Sequence, residues 1–291
     1  MILATGFFES LIEFEPLRYA LIAGLCIGFI APLTGSVVII RRLSFIADTL
    51  SHFSLAGVTI GVFFSKLIPS DIIKINPIFM GIIFSIIGTF IIELLRSFYK
   101  NYKELSMTIL LSLGVALSGL FIAITPGVST SYTNALLFGS IMSVDENDII
   151  IILITSVAIL IFAFLYHKQI VSLCFDETYA RVSGINVRVL QLAITIILAI
   201  VISVFMDLVG VLLISALLIV PVATAILCSN SFKQTITSAI IFSEVSILIG
   251  FYISYTLNFP IGATIVLFNI LILLVVVTII RIKKHYVKKE N

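Results

Sequence analysis

The charged residues of this chain are spaced at the interval a lipid bilayer demands. No Asp, Glu, Lys or Arg separates Arg18 from Arg41, Lys74 from Glu93, or Arg188 from Asp207. A hydrocarbon core about 30 Å thick takes roughly 20 apolar residues per helix, so each such run reads as one crossing. The stretch from Asp148 to Arg181 is broken only by Lys168 and the pair Asp176 and Glu177. Two longer gaps, Glu104 to Asp145 and Glu244 to Arg281, contain Pro126-Gly127 and Pro260-Ile261-Gly262. These are turn signals, so each gap divides into two crossings.

The resulting spans are 17–40, 48–66, 78–95, 105–125, 148–166, 189–206, 209–228, 235–257 and 261–280. The chain is therefore expected to be an all-α, polytopic transmembrane bundle of about nine crossings. Eight stay open, because the span at 48–66 starts on a charge and the outer-surface turn at Asp207 is very short. A sequence that is 60% hydrophobic and 11% charged, with mean hydropathy +1.27, leaves no polar stretch long enough for a separate soluble domain.

Short loops kept in the cytoplasm carry an excess of Lys and Arg. Placing the N-terminus outside and the C-terminus in the cytoplasm leaves only Arg18, Lys66 and Lys74, of 17 basic residues, on the outer face. The expected organisation is an extracytoplasmic segment at 1–16, one membrane domain at 17–280 and a basic cytoplasmic tail at 281–291. Glu9, Glu13 and Glu15, with no basic residue before Arg18, argue against a cleavable signal peptide. Cys26, Cys174 and Cys228 have no paired spacing, so disulfides are not expected. The net charge of +2 gives no indication of nucleic acid binding.

Ionisable groups inside a membrane cost about 2.5–3.5 kcal/mol even on the insertion scale, so each needs a reason. Asp48 and His52 are four residues apart and share one helical face. Imidazole and carboxylate together suit a first-row divalent metal, whose charge would offset that of Asp48. Two ligands do not complete a tetrahedral zinc shell, whereas two copies facing each other across a pathway supply four. The competing reading makes Asp48 a helix N-cap and His52 a donor to a nearby carbonyl. Glu244, mid-span beside Ser243 and Ser246, is a further candidate ligand, proton site or packing contact. His167 and His285 fall at solvated helix ends.

The string from Arg41 through Ser44, Asp48, His52 and Gly57 to Gly61 resembles the signature of the zinc and manganese ABC permease family. Three further blocks follow in family order: Phe175-Asp176-Glu177 with Ala180 and Gly184, then Val209-Gly210 through Ala216, Pro221 and Ala225, then Pro260-Ile261-Gly262-Ala263. The similarity runs from about Pro32 to Ala263. It implies the permease subunit of an ATP-driven importer of divalent transition metal ions in a bacterial cell membrane, with Asp48 and His52 as metal ligands; zinc and manganese both accept carboxylate and imidazole, and of the two zinc is favoured here.

By the same resemblance the partners are an ABC ATPase subunit, an extracytoplasmic metal-binding protein and a second permease copy. Asp176, Glu177, Ala180 and Gly184, within about 167–188, would dock the ATPase. Gly210, Pro221, Pro260 and Gly262 read as structural. No G-x-x-x-x-G-K-[ST] loop occurs in the sequence, so ATP would bind the partner chain and this chain would not be an enzyme. No H-E-x-x-H or G-x-S-x-G motif points to intramembrane hydrolysis. A proton-coupled secondary cation transporter using Asp48, His52 and Glu244 is the alternative.

Overall fold

The computed structural model describes residues 7–67, 76–99, 101–139 and 146–290, and every described element is helical. The charges Lys74 and Asp145, used above to bound spans, lie outside them. In chain order the helices are α1 (Phe7–Glu13), α2 (Glu15–Ile40), α3 (Phe45–Leu67), α4 (Pro77–Phe98), α5 (Lys103–Ile124), α6 (Thr130–Phe138) and α7 (Glu146–Leu165). They continue with α8 (His167–Phe175), α9 (Glu177–Val182), α10 (Val187–Val209), α11 (Val211–Cys228), α12 (Phe232–Leu257) and α13 (Ile261–Glu290). Among the described residues nine helices, α2–α5, α7 and α10–α13, are long and apolar enough to cross a bilayer.

Two departures from the sequence reading have physical causes. The break between the sixth and seventh crossings falls at Gly210, with φ 80°, whereas the backbone of Asp207 is still inside α10. A charge advertises a membrane boundary, but only a residue free to adopt positive φ lets the chain turn this tightly. The short helices α1, α6, α8 and α9 also escape the span count, since fewer than ten apolar positions carry no hydropathic signature.

The helices approach closely wherever glycine permits. A Cβ on Gly35 of α2 would collide with the carbonyl oxygen of Leu218 on α11, so these two backbones are in contact. Both helices contain an internal proline, Pro32 and Pro221, whose missing N–H leaves a carbonyl one turn earlier without its usual donor. Nearby hydroxyls donate to other main-chain oxygens of the same helices, Ser36 to Pro32 at 2.7 Å and Thr224 to Val220 at 2.9 Å.

One hydrophobic core joins Ile27 and Ile30 of α2, Leu50 and Phe53 of α3, Ile202 and Phe205 of α10, Leu217 of α11 and Phe251 of α12. Within it α10 bridges a group made of α3, α4 and α5 to a group made of α2, α11, α12 and α13. Helix α3 is the most enclosed crossing, with 83% of its span buried against 11% for α13.

Candidate metal pathway

Helix α3 begins at Phe45, so Asp48 stands inside its first turn and not at the N-cap. From Ile46 to Val62 every residue is buried except Asp48 and His52. An amphipathic crossing would leave an exposed stripe along its length; here the opening is confined to two side chains one turn apart. His52 Nε2 lies 3.9 Å from Asp48 Oδ1, within ion-pair range and beyond hydrogen-bond range. The histidine side chain is 20% exposed and the aspartate 37%. Among the described residues no third His, Cys, Asp or Glu joins them to make a closed metal cluster.

The rest of α3 is fixed from three sides by contacts that hold these two side chains outward. On α5, a Cβ at Gly114 would sit 2.9 Å from the backbone carbon of His52, so α5 abuts the main chain directly behind the imidazole. Thr49 donates to the Met107 carbonyl of α5 at 3.2 Å. On α4, a Cβ at Gly81 would fall 3.0 Å from Ser54 Oγ. On α10, Ser203 accepts from Ser54 at 2.9 Å, lies 2.8 Å from Ser85 of α4 and donates to Ala199 at 2.8 Å. This buried hydroxyl cluster ties three crossings together two residues beyond His52. Sequence reasoning missed Gly114 and the serines; the only signal for them is small or hydroxyl residues inside otherwise apolar spans.

Glu244 stands elsewhere. On α12 its carboxylate packs over α2, with Oε1 2.9 Å from where a Cβ on Gly28 would be. It forms no ion pair or hydrogen bond with Asp48 or His52 among the described residues, and its Oε2 is buried with no partner there.

The segment after α7 folds as two short helices. Asp176 caps α9, its Oδ1 accepting from the amides of Thr178 at 2.8 Å and Tyr179 at 2.9 Å. Ala180 is fully buried in a satellite core with Ile170, Leu173, Val187 and Leu190. Gly184 ends the unit at φ 81° with open space around it, so its conformation and not crowding demands glycine. Glu177 pairs with Arg181 at 3.1 Å and with Arg41 at 3.5 Å. Arg41 also donates to Gln191 at 3.2 Å, and only 11% of its side chain is exposed. Arg41 caps the end of α2 and opens the turn into α3, so α9 is tied through one guanidinium to the turn that leads into the helix carrying Asp48. Burial pushes the Cys174 thiol in α8 up to about 11, with the nearby Arg41 charge opposing the rise.

Gly210 and Gly262, also marked in the sequence, meet at the C-terminal end of α6. A Cβ on Gly210 would sit 2.5 Å from the amide of Gly139 and 2.6 Å from the Leu137 carbonyl. One on Gly262, just after Pro260, would strike the Phe138 carbonyl. The end of α6 is thus clasped by glycines from two distant turns. Pro221 is buried within α11.

Comparison with known proteins places this arrangement in context. A family model described as the ABC 3 transport family matches residues 13–280. The high-affinity zinc uptake system membrane protein ZnuB of Buchnera aphidicola is 33% identical over 259 residues, covering 88% of this chain and 95% of that protein. The manganese transport system membrane protein MntC of Listeria monocytogenes is 29% identical over 261 residues, covering 90% and 89%. The solved structure of PsaBC from Streptococcus pneumoniae in complex with Fab superposes with a TM-score of 0.80 at 28% identity, covering 95% of each chain.

Proposed function

We propose, on the premise that this chain belongs to the ABC 3 transport family, that it is the membrane permease subunit of an ATP-driven importer of a divalent transition metal ion. The observation that carries this reading is the pair Asp48 and His52, the only open positions along seventeen consecutive residues of the most enclosed crossing. A carboxylate in a membrane whose one near neighbour is an imidazole one turn away is suited to a cation, and the imidazole makes that cation a transition metal.

Two ligands per chain make the site incomplete until a second copy faces the first. Two carboxylates and two imidazoles then form a four-coordinate shell, which suits zinc; manganese takes six ligands, mainly oxygen. On this ground zinc is placed ahead of manganese, although similarity to relatives named for each metal supports either cargo. Glu244, against α2, is assigned to helix packing and not to the shell.

The N-terminus lies outside, and α8 and α9 face the cytoplasm, where Asp176, Glu177, Ala180 and Gly184 present a docking unit to a separate ATPase. An extracytoplasmic metal-binding protein delivers the ion. Alternating access follows: the ion sheds water, is held by Asp48 and His52, and leaves inward when nucleotide-driven movement of α9 is passed through Glu177 and Arg41 to the turn before α3. The ligands bind in their deprotonated forms, so the held state is strongest when both have lost their protons.

Proteoliposomes holding this chain with its ATPase partner provide the test. Uptake of radioactive zinc that requires ATP and stops when the ATPase is left out supports the reading. Uptake at an equal rate driven by a proton gradient alone would favour the secondary transporter instead.

A further inference from the structure

We propose that Arg96 of α4, together with Arg41 and the N-terminus of α3, forms a binding site for a small oxyanion, a phosphate either free or carried by a lipid headgroup. Arg96 stands in the last turn of α4, on the face that carries buried Ser85, Thr89 and Ile92. Only 10% of its side chain is exposed, and its Nε is buried with no acceptor among the described residues. Its ion-pair partner is Glu93, whose Oε2 lies 3.7 Å from Nη1, beyond hydrogen-bond range, on a side chain that is 54% exposed. A guanidinium has five N–H donors and keeps its charge, so its burial calls for acceptors that these residues do not supply.

The surroundings of Arg96 are positive. The packing of α4 on α3 sets the register: a Cβ on Gly81 would fall 2.9 Å from Val58, and one on Gly88 would fall 2.8 Å from Phe53 and 3.4 Å from Leu50. The two helices are antiparallel, so the rise of about 12 Å from Gly88 to Arg96 brings the arginine level with the turn at Leu43 and Ser44 that opens α3. Arg41, at the head of that turn, is near enough for its charge to act on Arg96. It is equally enclosed, with 11% of its side chain exposed, and its Nη2 is committed to Gln191 at 3.2 Å. The amides of Ser44 and Phe45 have no acceptor among the described residues, and the α3 dipole adds partial positive charge at the same end. The acids at hand are both half-exposed, and Glu177 is shared with Arg181.

Two enclosed guanidiniums beside a helix N-terminus repel one another unless an anion lies among them. An oxyanion meets every requirement of the place. Its oxygens accept several N–H bonds at once, two of them match the fork of a guanidinium, and helix N-termini hold phosphate through their amides and dipole. The assignment does not depend on metal transport or on the roles of Asp48 and His52.

The test is thermal unfolding of the full-length chain in delipidated detergent micelles, titrated with inorganic phosphate against chloride at matched ionic strength. Phosphate is expected to raise the midpoint saturably, by about 3 °C or more. Arg96→Lys, which keeps the charge and loses the planar fork, is expected to weaken phosphate binding about tenfold. Glu93→Gln removes a competing carboxylate and is expected to tighten it. Native mass spectrometry of the chain released from phosphatidylglycerol nanodiscs reads the source. An adduct that Arg96→Lys lacks assigns the phosphate to a lipid, whereas no adduct beside an intact phosphate response assigns a free oxyanion. Neither response in the unmodified chain would overturn the proposal and leave Arg96 a packing residue. Responses that Arg96→Lys leaves unchanged would overturn it as an adventitious ion only. Because Glu93 is half-exposed, its variant keeps the test decisive even if Arg96→Lys fails to fold: phosphate binding unmoved by Glu93→Gln then counts against the site.

Discussion

Replacing Gly114 with alanine adds a single methyl group on α5 and aims it at the main chain of His52, the proposed metal ligand. The new Cβ would stand 2.9 Å from the carbonyl carbon of His52, 2.9 Å from the amide nitrogen of Phe53 and 3.0 Å from the carbonyl oxygen of His52. Carbon contacts settle at about 3.5 Å or beyond, so α3 and α5 must part by about 0.6 Å. The atoms struck are backbone and cannot rotate aside. Thr49 remains bonded to Met107 one turn earlier, so the separation becomes a tilt that displaces His52 more than Asp48. Overpacking of this kind costs about 1–3 kcal/mol, which a bundle of this size survives. A metal shell tolerates only about 0.5 Å of misplacement, so zinc uptake per inserted molecule is expected to fall at least tenfold. The control is Gly119→Ala on the same helix, where a Cβ meets nothing within 4 Å. Uptake assays normalised to purified complex decide the matter. Normal uptake by Gly114→Ala, or equal impairment by Gly119→Ala, would refute the argument.

Ser203→Ala removes the shared partner of Ser54 and Ser85 and leaves two buried hydroxyls short of a bond, so a loss of about 1–3 kcal/mol is expected in the thermal unfolding of the detergent-solubilised protein. Glu177→Gln breaks a half-exposed ion pair and is expected to cost under about 1 kcal/mol of stability. The same change is expected to raise ATP hydrolysed per ion moved, because the link to Arg41 is weakened; an unchanged ratio would contradict the proposed route. Cys174, with its thiol held up to about 11, carries little thiolate at neutral pH, and its alkylation is expected to lag behind that of exposed Cys228. Raising the pH through 9 to 11 is expected to speed labelling of Cys174 progressively, which peptide mass spectrometry can follow.

The crossings were legible because charge spacing is a one-dimensional property, and Arg18, Arg41, Arg188 and Glu93 mark it without knowledge of neighbours. Asp48 and His52 were legible as candidates for the same reason: a carboxylate and an imidazole four residues apart announce one face of one helix. That they are the only openings between Ile46 and Val62 of α3 was not legible, since enclosure depends on α4, α5 and α10 arriving from elsewhere in the chain. Gly114 looks like any small residue until His52 is placed against it. Gly210 and Gly262 belonged to recognisable motifs, yet their reason is the carbonyl end of α6, a helix too short for hydropathy to detect. The bond from Arg41 to Glu177 joins residues that no local pattern connects.

The central claim is that the transported metal passes through Asp48 and His52. Its most direct measurement is ATP-dependent zinc and manganese uptake by Asp48→Ala and His52→Ala complexes in proteoliposomes, after each is shown to retain the ATPase subunit on purification. The account predicts that both variants keep their partner and lose uptake of the cargo metal. Uptake at the unmodified rate in both would contradict it.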